Sequence, residues 1–100
     1  MDSRIKTIAD HYSYEAQSRQ CMEECAELIQ AINKLWRARR AKSSEKSIVA
    51  ENNLVDEIAD VQIMLWQMQY LLEIPECEVK REINSKLDRQ MQRIKEESHV

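Results

Sequence analysis

The sequence contains no glycine and no phenylalanine, and proline occurs once. Without glycine the chain cannot form the phosphate-cradling loops of the P-loop or Rossmann kind, a type I′ hairpin of the Asn-Gly sort, or a glycine helix cap. Long hydrophobic runs are missing as well. The longest uncharged stretch, residues 61–72, is twelve residues long and includes Gln62, Gln67 and Gln69, well short of the roughly 20 apolar residues that span a bilayer. A buried helix, not a membrane anchor, is expected there. Three cysteines are too few and odd in number for a disulfide framework, and with His11 and His99 they lack the paired C-x-x-C spacing of zinc sites. Reduced structural thiols are expected. Nor is there an excess of basic charge: 15 Lys and Arg against 18 Asp and Glu give a net charge of -3. That balance argues against a nucleic-acid or anionic-membrane partner. No apolar run of the secretory kind occurs in residues 1–6, and a cytoplasmic location is expected.

What the chain does have is 43% hydrophobic and 33% charged residues in a length of 100, enough apolar content for one folded domain, residues 1–100, rather than a disordered tail. Periodicity and punctuation predict an all-α fold of four helices in a bundle-like arrangement. A short helix is expected over residues 3–11, and Ser13 is placed to N-cap a long one reaching residue 39. Residues 40–47, with Ser43, Ser44 and Ser47 among charges, read as a polar connection. A third helix is expected to run to residue 72. Glu73, Ile74 and Pro75 interrupt the pattern, with Pro75 at the first position of a fourth helix and Glu76 and Glu78 in its dipole-favoured first turn. That last helix is expected to fray towards Val100.

Across the two long helices an internal repeat appears at an offset of 33 residues: segment 22–28 aligns with 55–61, matching in class at every position. An apolar seam repeats with it, Cys21, Cys25, Leu28, Ile32 and Leu35 in the first copy and Leu54, Ile58, Val61, Leu65 and Met68 in the second. Seams with steps of three and four residues let two helices pack as a near-antiparallel pair. At about 100° per residue, Glu24 and Glu27 fall just to one side of the first seam, and Glu57 and Asp60 hold the same relation to the second. Pairing the seams makes the four carboxylates converge. Convergent carboxylates repel one another and lose hydration unless a cation sits among them, and oxygen-only ligands suit Mg²⁺ or Mn²⁺. Either acidic motif taken singly reads better as a solvated helix face with i,i+4 partners; it is the two copies at equivalent places beside two equivalent seams that favour the metal site.

Glu23-Glu24-x-x-Glu27 followed by Glu57-x-x-Asp60 on a second helix resembles the signature of the MazG-like, all-α nucleoside triphosphate pyrophosphohydrolases, over residues 13–93. The resemblance implies hydrolysis of a ribo- or deoxyribonucleoside triphosphate between the α and β phosphates, giving the monophosphate and pyrophosphate, in the housekeeping of nucleotide pools. It implies that Glu24, Glu27, Glu57 and Asp60 are Mg²⁺ ligands, with Mn²⁺ the alternative ion, and that Glu23 assists, by holding or deprotonating the attacking water or by touching a further ion. It also suggests that basic residues of the last helix contact the phosphates, for which Lys86 and Arg89 are the candidates. Both are equally readable as part of a salt-bridged surface, Glu82 standing four residues before Lys86.

Three further features complete the reading. Arg37, Arg39, Arg40 and Lys42 form a basic cluster between the acidic motifs, either helping to capture phosphate or lying on a solvated helix end that the dipole favours. Trp36 is the candidate for stacking on a base. Trp66 lies with Val55, Ala59, Ile63 and Tyr70 on a second apolar face of the third helix, and a helix apolar nearly all round must be covered on both sides. A homo-oligomer, dimer or tetramer, is therefore expected. The competing class is a non-enzymatic helical oligomerisation or regulatory module whose acidic edge docks a partner. A ferritin-like di-iron bundle is excluded, since Ile8 stands three residues before His11 and only the terminal His99 has a glutamate, Glu96, in that place.

Overall fold

A computed structural model describes residues 1–98. It has three helices, α1 (Ser3–Arg40), α2 (Ser44–Leu71) and α3 (Glu76–Ser98). The two helices expected before residue 40 follow one another within α1 without an intervening loop, parted by a kink at Ser13, whose backbone sits at φ 76, ψ 168. Only glycine enters that region freely, so a serine there costs on the order of 1–3 kcal/mol. The break turns the first segment of α1 back towards α2. Ile5 and Ala9 are buried, and the Tyr70 hydroxyl on the last turn of α2 donates to Asp10 Oδ2 at 2.8 Å. This bond also pushes the Tyr70 hydroxyl pKa up, helped by burial and the Asp10 charge. Asp2 caps the segment. Its carboxylate accepts from the Arg4 backbone N–H at 2.9 Å, and the Arg4 side chain beside it holds its pKa down at about 2.

The polar connection is shorter than expected: only residues 41–43 separate α1 from α2. Ser43 closes the gap by N-capping α2, its hydroxyl accepting from the Lys46 N–H at 3.3 Å, so residues 44–47 form helix where a loop was expected. Both long helices end in the same motif. Ser43 N–H donates to the Ala38 carbonyl and Lys42 N–H to that of Arg39, with Lys42 at φ 56; Ile74 N–H donates to Gln69 and Glu73 N–H to Tyr70, with Glu73 at φ 54. These are Schellman caps. Glycine usually holds the left-handed position; here a lysine and a glutamate hold it. Pro75 precedes α3 by one residue rather than opening it, and its carbonyl accepts from the Glu78 N–H at 3.1 Å. The fraying expected at His99 and Val100 lies outside the described residues.

A four-helix bundle does not form. α1 and α2 make an antiparallel hairpin, whereas none of the residues described in α3 is buried and α3 forms no extensive contact with either neighbour. The radius of gyration is 17.6 Å, against about 13 Å for a compact chain of this length.

The hairpin seam is also rotated from the expected one. On α1 the covered positions include Gln17, Cys21, Glu24, Leu28, Ala31, Leu35 and Ala38, an unbroken alternation of four- and three-residue steps, with the expected Cys25 half-buried beside them; on α2 they include Leu54, Glu57, Val61, Met64 and Met68. Ile32, Ile58 and Leu65, expected inside, stay 46%, 41% and 46% exposed. The reason is geometric. A strict 3.5-residue repeat brings two helices together along their whole length, and the repeat that does so here runs through Glu24 and Glu57 rather than beside them. Alanines on α1 allow close approach, and the buried Gln17 and Gln67 satisfy one another, Gln17 Nε2 donating to Gln67 Oε1 at 2.8 Å.

Candidate metal centre

Because Glu24 and Glu57 are seam residues, the α1–α2 packing itself carries them into a half-buried place. Asp60, one turn beyond Glu57, joins them from the rim. One oxygen from each of Glu24, Glu57 and Asp60 lies within 4.8 Å of the other two. Glu27 stands beside Glu57 without entering this three-way cluster, close enough to act on its titration. Of the four carboxylates expected to converge, the fold therefore joins three and places the fourth alongside.

Their electrostatics follow from this crowding. Loss of hydration raises the pKa of Glu57 above the ordinary glutamate range, and repulsion from Glu27, Glu24 and Asp60 raises it further. Asp60 is raised in the same way, first by loss of hydration and then by the charge and hydrogen bonding of Glu24, with Asp56 adding to it. One oxygen of Glu24 is held: Gln20 Nε2, one turn earlier on α1, donates to Oε1 at 2.7 Å. The other is not. Glu24 Oε2 and Glu57 Oε2 are both buried without any hydrogen-bond partner. Buried acceptors are nearly always paired, and an unpaired carboxylate oxygen is more costly than most. Two orphaned oxygens in one carboxylate cluster fit a cation as the missing partner, and a hard divalent ion suits an all-oxygen donor set.

The other candidates lie elsewhere. Glu23 is exposed, one residue and therefore about 100° round α1 from Glu24. Trp36 is 64% exposed and lines a shallow hollow with Ile32, Leu35, Arg39 and Arg40, about 120° round the helix from Glu24. Lys86 and Arg89 are exposed on α3, which nothing in the single chain packs along the hairpin, so they are not brought to the cluster. Cys21 and Cys25 lie one turn apart beside the site; burial, then the neighbouring Cys25, pushes the Cys21 thiol pKa up, as suits an inert structural thiol, whereas Cys77, expected to be buried as well, is exposed on α3, which packs on neither long helix.

Two groups escaped the sequence reading. Gln20 was findable, because a glutamine four residues before a glutamate reaches it on a helix. The Gln17–Gln67 pair was findable only through the heptad step that also passes through Glu24. A comparison of the chain with protein-family models, with curated proteins and with solved structures finds no match.

Proposed function

We propose that this protein is an Mg²⁺-dependent nucleoside triphosphate pyrophosphohydrolase of the MazG-like kind, which cleaves its substrate between the α and β phosphates to the monophosphate and pyrophosphate. The buried, unpartnered oxygens of Glu24 and Glu57 carry this reading: the fold holds negative charge where it is unfavourable unless a cation completes it. Glu24, Glu57 and Asp60 would hold the ion, with Glu27 flanking. When bound, a divalent ion supplies charge neutralisation at the phosphate oxygens. The chain's own groups do the rest. Gln20 fixes the orientation of the Glu24 carboxylate through Oε1 and leaves Oε2 free. Glu57, its pKa raised by loss of hydration and by the charges of Glu27, Glu24 and Asp60, is the carboxylate that a bound cation would relieve most. Glu23 stays solvated, suited to taking a proton from water at the rim.

The functional unit is a homo-oligomer in this proposal. The chain exposes 8164 Å², whereas a compact monomer of this mass exposes about 6,000 Å². The excess includes Val55, Ile63 and Trp66 on the outer face of α2 and Ile83, Leu87 and Ile94 on α3. A stable dimer interface buries about 1,600 Å² in total, so the surplus is ample for one. Assembly would also cover α3 and give Lys86 and Arg89 a route to a neighbouring site.

Release of pyrophosphate and monophosphate from a panel of common nucleoside triphosphates, with and without Mg²⁺, tests the activity. Glu24→Gln and Asp60→Asn should each lower kcat/KM by at least about 100-fold, since changes even to groups behind metal ligands lower activity about 10–100-fold, with helical circular dichroism retained. Equal activity in EDTA, or in either variant, would overturn the assignment. Silence across the panel, with the carboxylate variants more stable and indifferent to Mg²⁺, would favour a non-enzymatic oligomerisation module.

A further inference from the structure

We propose that the groove between the last turns of α1 and the first turns of α2 receives the terminal phosphates of a phosphate chain through Lys34, Arg37 and Lys46. Residues 34–46 carry six cations, Lys34, Arg37, Arg39, Arg40, Lys42 and Lys46, against the single Glu45, a local charge of +5 in a chain of net -3. The rest of the molecule is correspondingly acidic. None of the six takes part in an ion pair among the described residues. The helix dipole accounts for Arg37, Arg39 and Arg40, which fall in the last turn of α1. It does not account for Lys46. That residue lies in the first turn of α2, where the same field disfavours a cation.

Shape supports the same assignment. The hairpin opens here into a groove of about 790 Å³, lined by Lys34, Arg37, Lys46 and Asn53 together with one carboxylate, Glu45, over a floor that includes Ala38 and Ala50. This is the size of a small-molecule site, and the short alanines leave the room. Asn53 is one turn before Glu57, about 6 Å along the helix axis, but Lys34 and Lys46 lie about 15 Å from Glu24 and Glu57, so the hairpin carries the basic groove and the carboxylate cluster as two separate regions. In the cluster only a bound cation makes room for an anion; in the groove the side chains themselves are positive. Arg37 offers a planar fork and the lysines mobile point charges, the donors that bind phosphoryl oxygens. A nucleic acid would run out of the groove onto acidic surface and be repelled.

The groove is independent of the pyrophosphohydrolase reading, since Lys34 and Lys46 lie about 15 Å along the hairpin from Glu24 and Glu57, beyond the span of a triphosphate cleaved there, and its binding chemistry holds for any polyphosphate. Isothermal titration with inorganic tripolyphosphate in EDTA separates the two. Wild-type protein should bind it without divalent metal and less tightly at higher salt. Lys34→Gln/Lys46→Gln should weaken binding by about tenfold or more, Lys34→Arg/Lys46→Arg should restore it, and Glu24→Gln should leave it intact. Failure of the folded wild type to bind tripolyphosphate in EDTA, or equal binding by the double glutamine variant, would overturn the groove. Tripolyphosphate binding that depends on Lys34 and Lys46 in a protein that turns over no nucleotide upholds the groove and removes only the enzymatic reading.

Discussion

The α1–α2 hairpin and α3 solve the problem of burial in opposite ways. By sequence α3 is the more orderly amphipathic helix, with Val79, Ile83, Leu87 and Ile94 in one stripe and charged residues round the remainder, yet none of its described residues is buried. The hairpin is the less orderly. Its seam passes through two glutamates and two glutamines while several large apolar residues stay outside, and all of the described core lies on its two helices. An apolar stripe declares that a partner is needed without supplying one. A continuous 3.5-residue step supplies its own partner, even at the expense of enclosing charge.

Stability should divide along the same line. Met64, 5% exposed in the seam, is expected to lose about 2–5 kcal/mol on replacement by alanine. Ile83→Ala on α3 should cost a dilute monomer almost nothing and appear only as a weaker dependence of stability on protein concentration. Urea unfolding at two concentrations a hundredfold apart separates these outcomes; equal losses for both variants at the lower concentration would show that α3 packs on its own hairpin.

A second expected effect isolates the charge enclosed in the seam. Glu57 and Asp60 have folded-state pKa values above their unfolded ones. Their contribution to stability is therefore fully present below the ordinary carboxylate range and is lost as pH rises through the raised values. Metal-free protein should weaken across that window, and Mg²⁺ should restore it. At about a hundredfold excess over Kd the ion adds about 2.7 kcal/mol, measured as a rise in Tm at neutral pH that vanishes near pH 4. A shift equal at both pH values would place the ion elsewhere.

The smallest effect concerns the ends of the hairpin. Glu73→Gly should stabilise the protein by on the order of 1 kcal/mol, because a left-handed non-glycine residue costs about 1–2 kcal/mol and the added freedom of the unfolded chain offsets part of the gain. Chemical denaturation reads this directly, and a loss of stability would mean that the Glu73 side chain is needed where it stands.

The features legible in the sequence were those set by local chemistry. The all-helical character follows from composition, the interruption at Ser13 from a serine between two periodic stretches, and the break before α3 from Pro75. The approach of Glu24, Glu57 and Asp60 was legible because repeated spacing on two helices survives a moderate error in which face packs. What stayed hidden depends on choosing between adjacent faces. Ile32 and Ala31 differ by 100°, and hydrophobicity alone chose the isoleucine, whereas close approach of two helices chose the alanine. The position of α3 was hidden for a different reason: periodicity fixes which side is apolar and is silent about what covers it.

The three-residue turn between α1 and α2 acts as a ruler. Counted from Lys42 at its centre, Gln17 and Gln67 are each 25 residues away, Glu24 and Asp60 each 18, and Glu27 and Glu57 each 15. Each of these equidistant pairs meets across the hairpin. The chemistry of the centre is thus a matter of counting. Inserting or deleting one residue anywhere between Glu27 and Glu57 keeps every one of these side chains in the sequence and puts each out of phase with its opposite number, so the length of that segment is as much a part of the centre as the carboxylates themselves.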